Sequence, residues 1–141
     1  MAQRKDFVST TNPVQTQYPP CVLQFARAVA HAEGFGVPDA IPTKANNPGD
    51  LTFGFGYPLN GTMGRDQICV FQNLEDGWQA LWHEIGLAFA GRSQIYKTTD
   101  TIEEFGMKYS NDPNWGVNVA AYLGVPKETT LAQLREGVGA K

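Results

Sequence analysis

The segment from Pro19 to Gly34 constrains the fold more than any other part of the chain. Its two prolines suit the first turn of a helix, where the N–H that proline lacks would have no partner. Gly34 is a natural helix end. Between them, apolar residues recur at three- and four-residue steps, at Val22, Phe25, Ala26, Val29 and Ala30. This spacing predicts a helix over residues 19–33 with one buried face.

Glu33 extends that apolar row, four residues after Val29 and three after Ala30. Burial and the negative end of the helix dipole would both raise the pKa of a carboxyl placed there. A carboxyl that stays protonated near neutral pH can donate a proton to a leaving oxygen. The alternative is a glutamate that reaches water or pairs with Arg27 or Lys44, which is the usual arrangement for an isolated Glu.

Composition favours one folded domain and excludes several classes of partner. The chain has 141 residues, 42% hydrophobic and 18% charged, with a net charge of −3. We expect an extended or disordered arm over residues 1–18 and a single domain over residues 19–141. No basic run predicts a nucleic-acid surface, and no apolar run reaches the roughly 20 residues of a membrane span. We expect a monomer.

The cysteines and histidines give little support to a metal centre. Cys21 and Cys69 are the only cysteines, and His31 and His83 the only histidines, with no Cys-x-x-Cys motif. The two cysteines fit either one disulfide in an exported protein or two buried thiols. We therefore predict no metal and no cofactor.

The remainder of the chain predicts a small sheet followed by helices. Residues 51–55 alternate apolar and small side chains like a strand, Asn60-Gly61 is a hairpin signal, and residues 67–71 suit a partner strand. Helices are predicted over residues 74–90, 101–109, 113–123 and 130–135 from their apolar spacing and end signals. The predicted class is α+β, mainly helical, with a small antiparallel sheet after the first helix.

Three short segments carry a resemblance to a known family. They are Ala32-Glu33-Gly34-Phe35, Ile41-Pro42 and Asn46-Asn47-Pro48-Gly49-Asp50-Leu51. Together they resemble the lysozyme-like, lytic-transglycosylase-type muralytic domains, many of which carry a glutamate followed by an Asn-Asn-Pro-Gly-Asn turn. The similarity extends over residues 21–135. It departs from the family's pattern at Asp50, where Asn is usual.

The resemblance implies a lysozyme-like fold and an enzyme that cuts the β-1,4 bond between N-acetylmuramic acid and N-acetylglucosamine in peptidoglycan. Glu33 would be the catalytic acid of a lytic transglycosylase, which forms a 1,6-anhydro sugar and needs no metal or cofactor. If Asp50 is a second catalytic carboxylate, a lysozyme-type hydrolase becomes possible. The other alternative is a non-catalytic glycan-binding or phage structural module. Such a protein would be periplasmic, secreted or delivered by a phage.

Other side chains are candidates for contact with the glycan. The amide of Asn47 could bind a sugar hydroxyl or lock its own turn. One of Phe53, Phe55 and Tyr57 is expected to touch substrate, with Tyr57 the first choice. Gln72 could hydrogen-bond sugar. Tyr109 is a candidate because related transglycosylases place a tyrosine of a late helix opposite the acid. The tryptophans are predicted to be core residues, namely Trp78, Trp82 and Trp115.

Overall fold

The computed structural model describes residues 17–137, in which six helices surround one small sheet. The first part of the chain contains α1 (Pro20–Glu33), α2 (Ile41–Lys44), β1 (Leu59–Met63) and β2 (Ile68–Phe71). The second part contains α3 (Leu74–Phe89), α4 (Ile102–Ser110), α5 (Pro113–Leu123) and α6 (Leu131–Arg135). The α+β class is confirmed. The arm predicted for residues 1–18 lies almost entirely outside the described residues.

The predicted first helix is confirmed as α1. Proline occupies its first turn, and Gly34 ends it in the left-handed conformation, with φ of 87°. The backbone N–H groups of this cap bond back to the carbonyls of Ala30 and His31. The apolar face, including Val22 and Phe25, is buried as its spacing predicts. The helix therefore delivers Glu33 at its last position, at the edge of the core.

The sheet is a two-stranded antiparallel hairpin within residues 17–137, and its first strand is not where the sequence predicts it. Residues 51–55 form no strand; β1 begins at Leu59 instead. Phe55 has φ of 53°, a left-handed conformation that no strand residue adopts. Asn60-Gly61 lies inside β1, whose pairing is irregular between Leu59 and Thr62. The hairpin turn falls at residues 64–67.

The later helices are confirmed to within a residue or so at each end. Their caps follow ordinary rules: Asn73 accepts a hydrogen bond from the Asp76 N–H at the start of α3. Thr101 and Thr130 each form a reciprocal capping box with the side chain three residues later. The helix α2 is additional to those predicted. It occupies the Ile41-Pro42 segment and leads directly into the turn at Asn46.

The core is formed where α1 packs against α3 and α5, and α4 packs against α5. Phe25 of α1 is almost fully buried, and its ring makes edge contacts with Phe89 at 5.3 Å and Phe105 at 5.1 Å. Cys21 and Cys69 are free thiols, so the disulfide alternative does not apply to this structure. None of the described helices is long and apolar enough to cross a membrane. The core thus fixes the end of α1 relative to α5.

Candidate active site

Two carboxyls meet where α1 ends and the Asn-Asn-Pro-Gly turn passes it. Glu33 is largely buried, and burial is the main reason that its pKa is raised to about 7. Asp50 adds to this increase through its negative charge and through a side-chain hydrogen bond with Glu33. The same hydrogen bond lowers the pKa of Asp50, which burial and the charge of Asp66 raise. The interaction between the two carboxyls therefore favours the proton on Glu33, because it raises the pKa of Glu33 and its hydrogen bond lowers that of Asp50.

Trp115 is the second partner of Glu33. Its indole Nε1–H donates a hydrogen bond of 2.7 Å to Glu33 Oε2, which lowers the pKa of that carboxyl and partly offsets burial. The sequence prediction made Trp115 a core residue, and it is buried, but it also contacts the candidate acid. The sequence signal is only general: a buried indole N–H needs an acceptor, but which acceptor it meets depends on how α1 packs on α5.

Asp50 is held in a conformation that few residues adopt. Its φ is 54°, a left-handed value that Asn and Asp tolerate best among side-chain-bearing residues. This explains how Asp can stand where the resembled family usually has Asn. Asp50 Oδ1 is buried and has no hydrogen-bond partner among residues 17–137.

Asn47 is buried inside the turn, and both polar atoms of its side chain form hydrogen bonds with the surrounding backbone. Its Nδ2 donates to the Leu51 carbonyl at 2.9 Å and the Cys69 carbonyl at 2.8 Å. Its Oδ1 accepts from the Leu51 N–H at 2.9 Å. With no exposed surface, the side chain locks the turn to β2 and does not face the solvent where a sugar would lie. The turn-locking role is the one that these contacts support, and substrate binding by Asn47 stays a prediction.

Tyr109 lies beside the same turn, but its hydroxyl is directed at the backbone. It donates a 2.6 Å hydrogen bond to the Gly49 carbonyl. A Cβ added to Gly49 would lie 2.9 Å from that hydroxyl and 2.6 Å from Leu81 Cδ1, so glycine is needed for this close approach. Burial raises the pKa of Tyr109, and the charges of Glu33 and Asp50 contribute. Tyr109 is thus positioned to fix the turn that carries Asp50, and a contact with substrate stays a prediction.

The remaining predicted substrate contacts differ in their exposure. Tyr57 is half-buried, and its hydroxyl donates to Gln79 Oε1 of α3 at 3.3 Å. Gln72 is exposed just after β2. Of the three aromatics after the turn, Phe53 has the greatest exposure, with 65% of its surface accessible, which the sequence pattern did not indicate. Substrate binding by Tyr57 and Gln72 stays a prediction.

Glu84 is a second buried carboxyl that the sequence prediction missed. Its Oε1 is buried without a hydrogen-bond partner among the described residues, and burial raises its pKa to about 7. Its charge raises the pKa values of Tyr96 and Tyr109. The signal was available in the sequence, since Glu84 lies three residues after Leu81 and four before Ala88 on the apolar side of α3.

The site can therefore hold and transfer one proton at Glu33, beside a negative charge at Asp50. Residues 17–137 contain no group of three His, Cys, Asp or Glu side chains arranged to hold a metal ion. No family model, curated protein sequence or solved structure matches the chain. Its function has to be inferred from the chemistry of these side chains.

Proposed function

We propose that this protein is a peptidoglycan-cleaving lytic transglycosylase on a lysozyme-like fold, with Glu33 as its catalytic acid and base. The observation that carries the proposal is the pair in which Glu33, with a pKa raised to about 7, hydrogen-bonds Asp50. A carboxyl with that pKa is half protonated at neutral pH, so it can both give and take a proton there. The resemblance of the Glu33 and Asn46–Leu51 segments points to the same chemistry.

In this mechanism Glu33 first protonates the glycosidic oxygen between N-acetylmuramic acid and N-acetylglucosamine. The C1–O bond breaks, and positive charge develops at C1 of the muramic acid. The Asp50 carboxylate would stabilise that charge at short range. The ionised Glu33 then removes the proton of the C6 hydroxyl, whose oxygen bonds to C1. The product is a 1,6-anhydro sugar, and Glu33 regains the proton it gave.

The interaction between Asp50 and Glu33 gives Asp50 a role in this route. The charge of Asp50 and its side-chain contact both raise the pKa of Glu33. Because a raised pKa keeps the acid protonated near neutral pH, Asp50 is assigned to tuning Glu33 and to stabilising charge.

A lysozyme-type hydrolase is the second candidate, because Asp50 supplies a second carboxyl that interacts with Glu33. If substrate separates the carboxyls, Asp50 could act as nucleophile or orient water. The two candidates give different products. Transglycosylation yields anhydro sugars, and hydrolysis yields reducing ends.

The experiment is digestion of purified peptidoglycan with the wild-type protein, Glu33→Gln and Glu84→Gln, with mass spectrometry of the soluble products. We expect anhydro-muropeptides from the wild type and from Glu84→Gln, whose carboxyl is also buried but lies outside the pair. Glu33→Gln should lower their release by roughly 10²–10⁴-fold, the usual contribution of a general acid. Reducing-end products would select the hydrolase. Wall binding without any product would identify a glycan-binding module, and neither binding nor product would reject a glycan function altogether.

A further inference from the structure

Three aromatic side chains form a continuous row on the surface beside the turn. Phe53 has the largest exposed fraction, 65%, of the exposed large hydrophobic residues described. Its ring meets Phe55 edge-on, with centroids 4.9 Å apart, and Phe55 lies 5.1 Å from the ring of His83. We name these three residues the aromatic edge. It connects the loop after Asp50 to the exposed side of α3.

The loop is held in a conformation that presents these rings. Phe55 has φ of 53°, which is a genuine outlier for a bulky residue. Gly54 is buried beneath the Leu59 side chain, and a Cβ there would lie 3.2 Å from Leu59 Cδ2. The Gly54 carbonyl accepts a 3.0 Å hydrogen bond from the Tyr57 N–H. Because the exposed Phe53 ring is not buried by this strained loop, core packing does not explain the strain, and we read the loop as a functional surface.

Phe53 of the aromatic edge is close to the carboxyl pair along the chain. Phe53 follows Asp50 by three residues, so their Cα atoms are at most about 11 Å apart. Leu51 between them is fixed by Asn47 and by the Cys69 N–H, which donates to its carbonyl at 2.9 Å. An oligosaccharide bound at Glu33 can therefore reach Phe53.

The chemistry of the aromatic edge suits a saccharide. A sugar ring has an apolar C–H face that packs on an aromatic face and hydroxyls that need hydrogen bonds. Burial lowers the pKa of His83, so its imidazole is neutral at neutral pH and offers one donor and one acceptor. None of the three side chains carries a positive charge at that pH, which argues against a site for anions.

We propose that Phe53, Phe55 and His83 bind a sugar ring of the glycan strand beside the bond that Glu33 cuts. The proposal rests on the glycan-cleaving function above. It assigns substrate affinity to Phe53, an exposed residue that takes no part in the proton transfer.

The test measures binding of a chitin oligosaccharide and of purified peptidoglycan strands in the Glu33→Gln background, which prevents cleavage. Phe53→Ala should weaken binding about tenfold, since it removes the apolar ring face that the sugar would bury. Phe53→Trp, which keeps an aromatic face, should bind within about threefold of the parent on the same reasoning. The matched control is Tyr122→Ala on α5, an aromatic residue 48% exposed, and it should leave affinity unchanged. Saturation transfer from aromatic protons to sugar C–H protons should weaken in Phe53→Ala and persist in Phe53→Trp.

The outcomes separate this proposal from the function on which it rests. Unchanged affinity in Phe53→Ala, with an active wild type, overturns the aromatic edge and leaves the enzyme intact. Lost affinity in Phe53→Ala, with an inactive wild type, supports the edge and rejects catalysis. If the parent binds no glycan, both fail. If Phe53→Ala instead abolishes dimerisation in sedimentation, or pelleting with phospholipid vesicles, the edge binds a second copy or a lipid surface and the sugar assignment is overturned.

Discussion

At the scale of single residues, the pKa of Glu33 is set by opposing neighbours that can be removed one at a time. Asp50 raises it and Trp115 lowers it, while burial dominates both. A general acid must be protonated to act, so activity should fall as pH rises through about 7, the pKa of Glu33. The high-pH limb of the activity profile, where activity decreases, therefore reports the pKa of Glu33 directly.

Asp50→Asn should move that limb to lower pH by roughly one unit, because removing a like charge makes Glu33 easier to ionise. Asn tolerates the left-handed backbone at this position, so the turn should persist. The measurement is the release of anhydro-muropeptides as a function of pH. A shifted profile with activity retained at low pH supports a tuning role. Activity lost at every pH would instead make Asp50 the second catalytic carboxylate.

Trp115→Phe should move the limb in the opposite direction. The variant removes the N–H that stabilises ionised Glu33, so the carboxyl holds its proton to higher pH. It also loses a hydrogen bond, worth about 0.5–1.5 kcal/mol while Glu33 is protonated, and should lower the free energy of unfolding accordingly. The activity profile of this variant gives the position of the limb, and urea unfolding gives its free energy of unfolding. A destabilised protein whose limb does not move would reduce Trp115 to a packing role.

At the scale of elements, α3 is docked on the turn through one glycine. A Cβ on Gly77 would collide with the backbone carbonyl oxygen of Asn46 and lie 2.9 Å from Pro48 Cδ. Gly86 in the same helix faces only the ring of Tyr18, at 3.0 Å from its nearest atom. The Asn46 backbone cannot move aside to accept a Cβ, whereas the Tyr18 ring can.

Gly77→Ala should therefore destabilise the protein by at least about 2–3 kcal/mol and displace the turn that carries Asp50. Gly86→Ala should change stability by less than about 1 kcal/mol, because its gain in helix propensity offsets a movable contact. Urea unfolding of the two variants checks the difference, and peptidoglycan digestion should show activity loss in Gly77→Ala alone. Equal stability of the two would mean that the turn is not clamped by α3.

The elements also show which parts of the fold a sequence can predict. Helix ends were predictable because their signals are local: Pro20 and Gly34 bound α1, and Thr101 with Glu104 starts α4. The strand over residues 51–55 was predicted wrongly because alternating side chains cannot reveal a left-handed backbone at Asp50 and Phe55. Glu33 was predicted from its apolar row. Its bond to Trp115, 82 residues away, depends on how α1 packs on α5, and local patterns do not encode that.

At the scale of the whole molecule, the buried carboxyls of Glu33 and Glu84 make the stability of the fold depend on pH. Each has a pKa raised from 4.5 to about 7 in the folded protein, mainly by burial. In the unfolded chain both ionise at the lower value. Between these two pH values the folded state binds more protons, so its stability falls as pH rises, and the full penalty applies above about pH 7. For each group the upper limit is about 3 kcal/mol.

Replacing either carboxyl by its amide should therefore favour the folded state more at pH 8 than at pH 4.5. The free energy of unfolding of Glu84→Gln minus that of the wild type should increase by about 1–3 kcal/mol from pH 4.5 to pH 8. Comparing two pH values in one variant cancels any fixed effect of burying the amide. Urea unfolding at both pH values measures it, and Glu33→Gln should behave alike while losing activity. A difference independent of pH would mean that the carboxyl does not titrate in this window, and for Glu33 it would remove the basis for a proton donor at neutral pH.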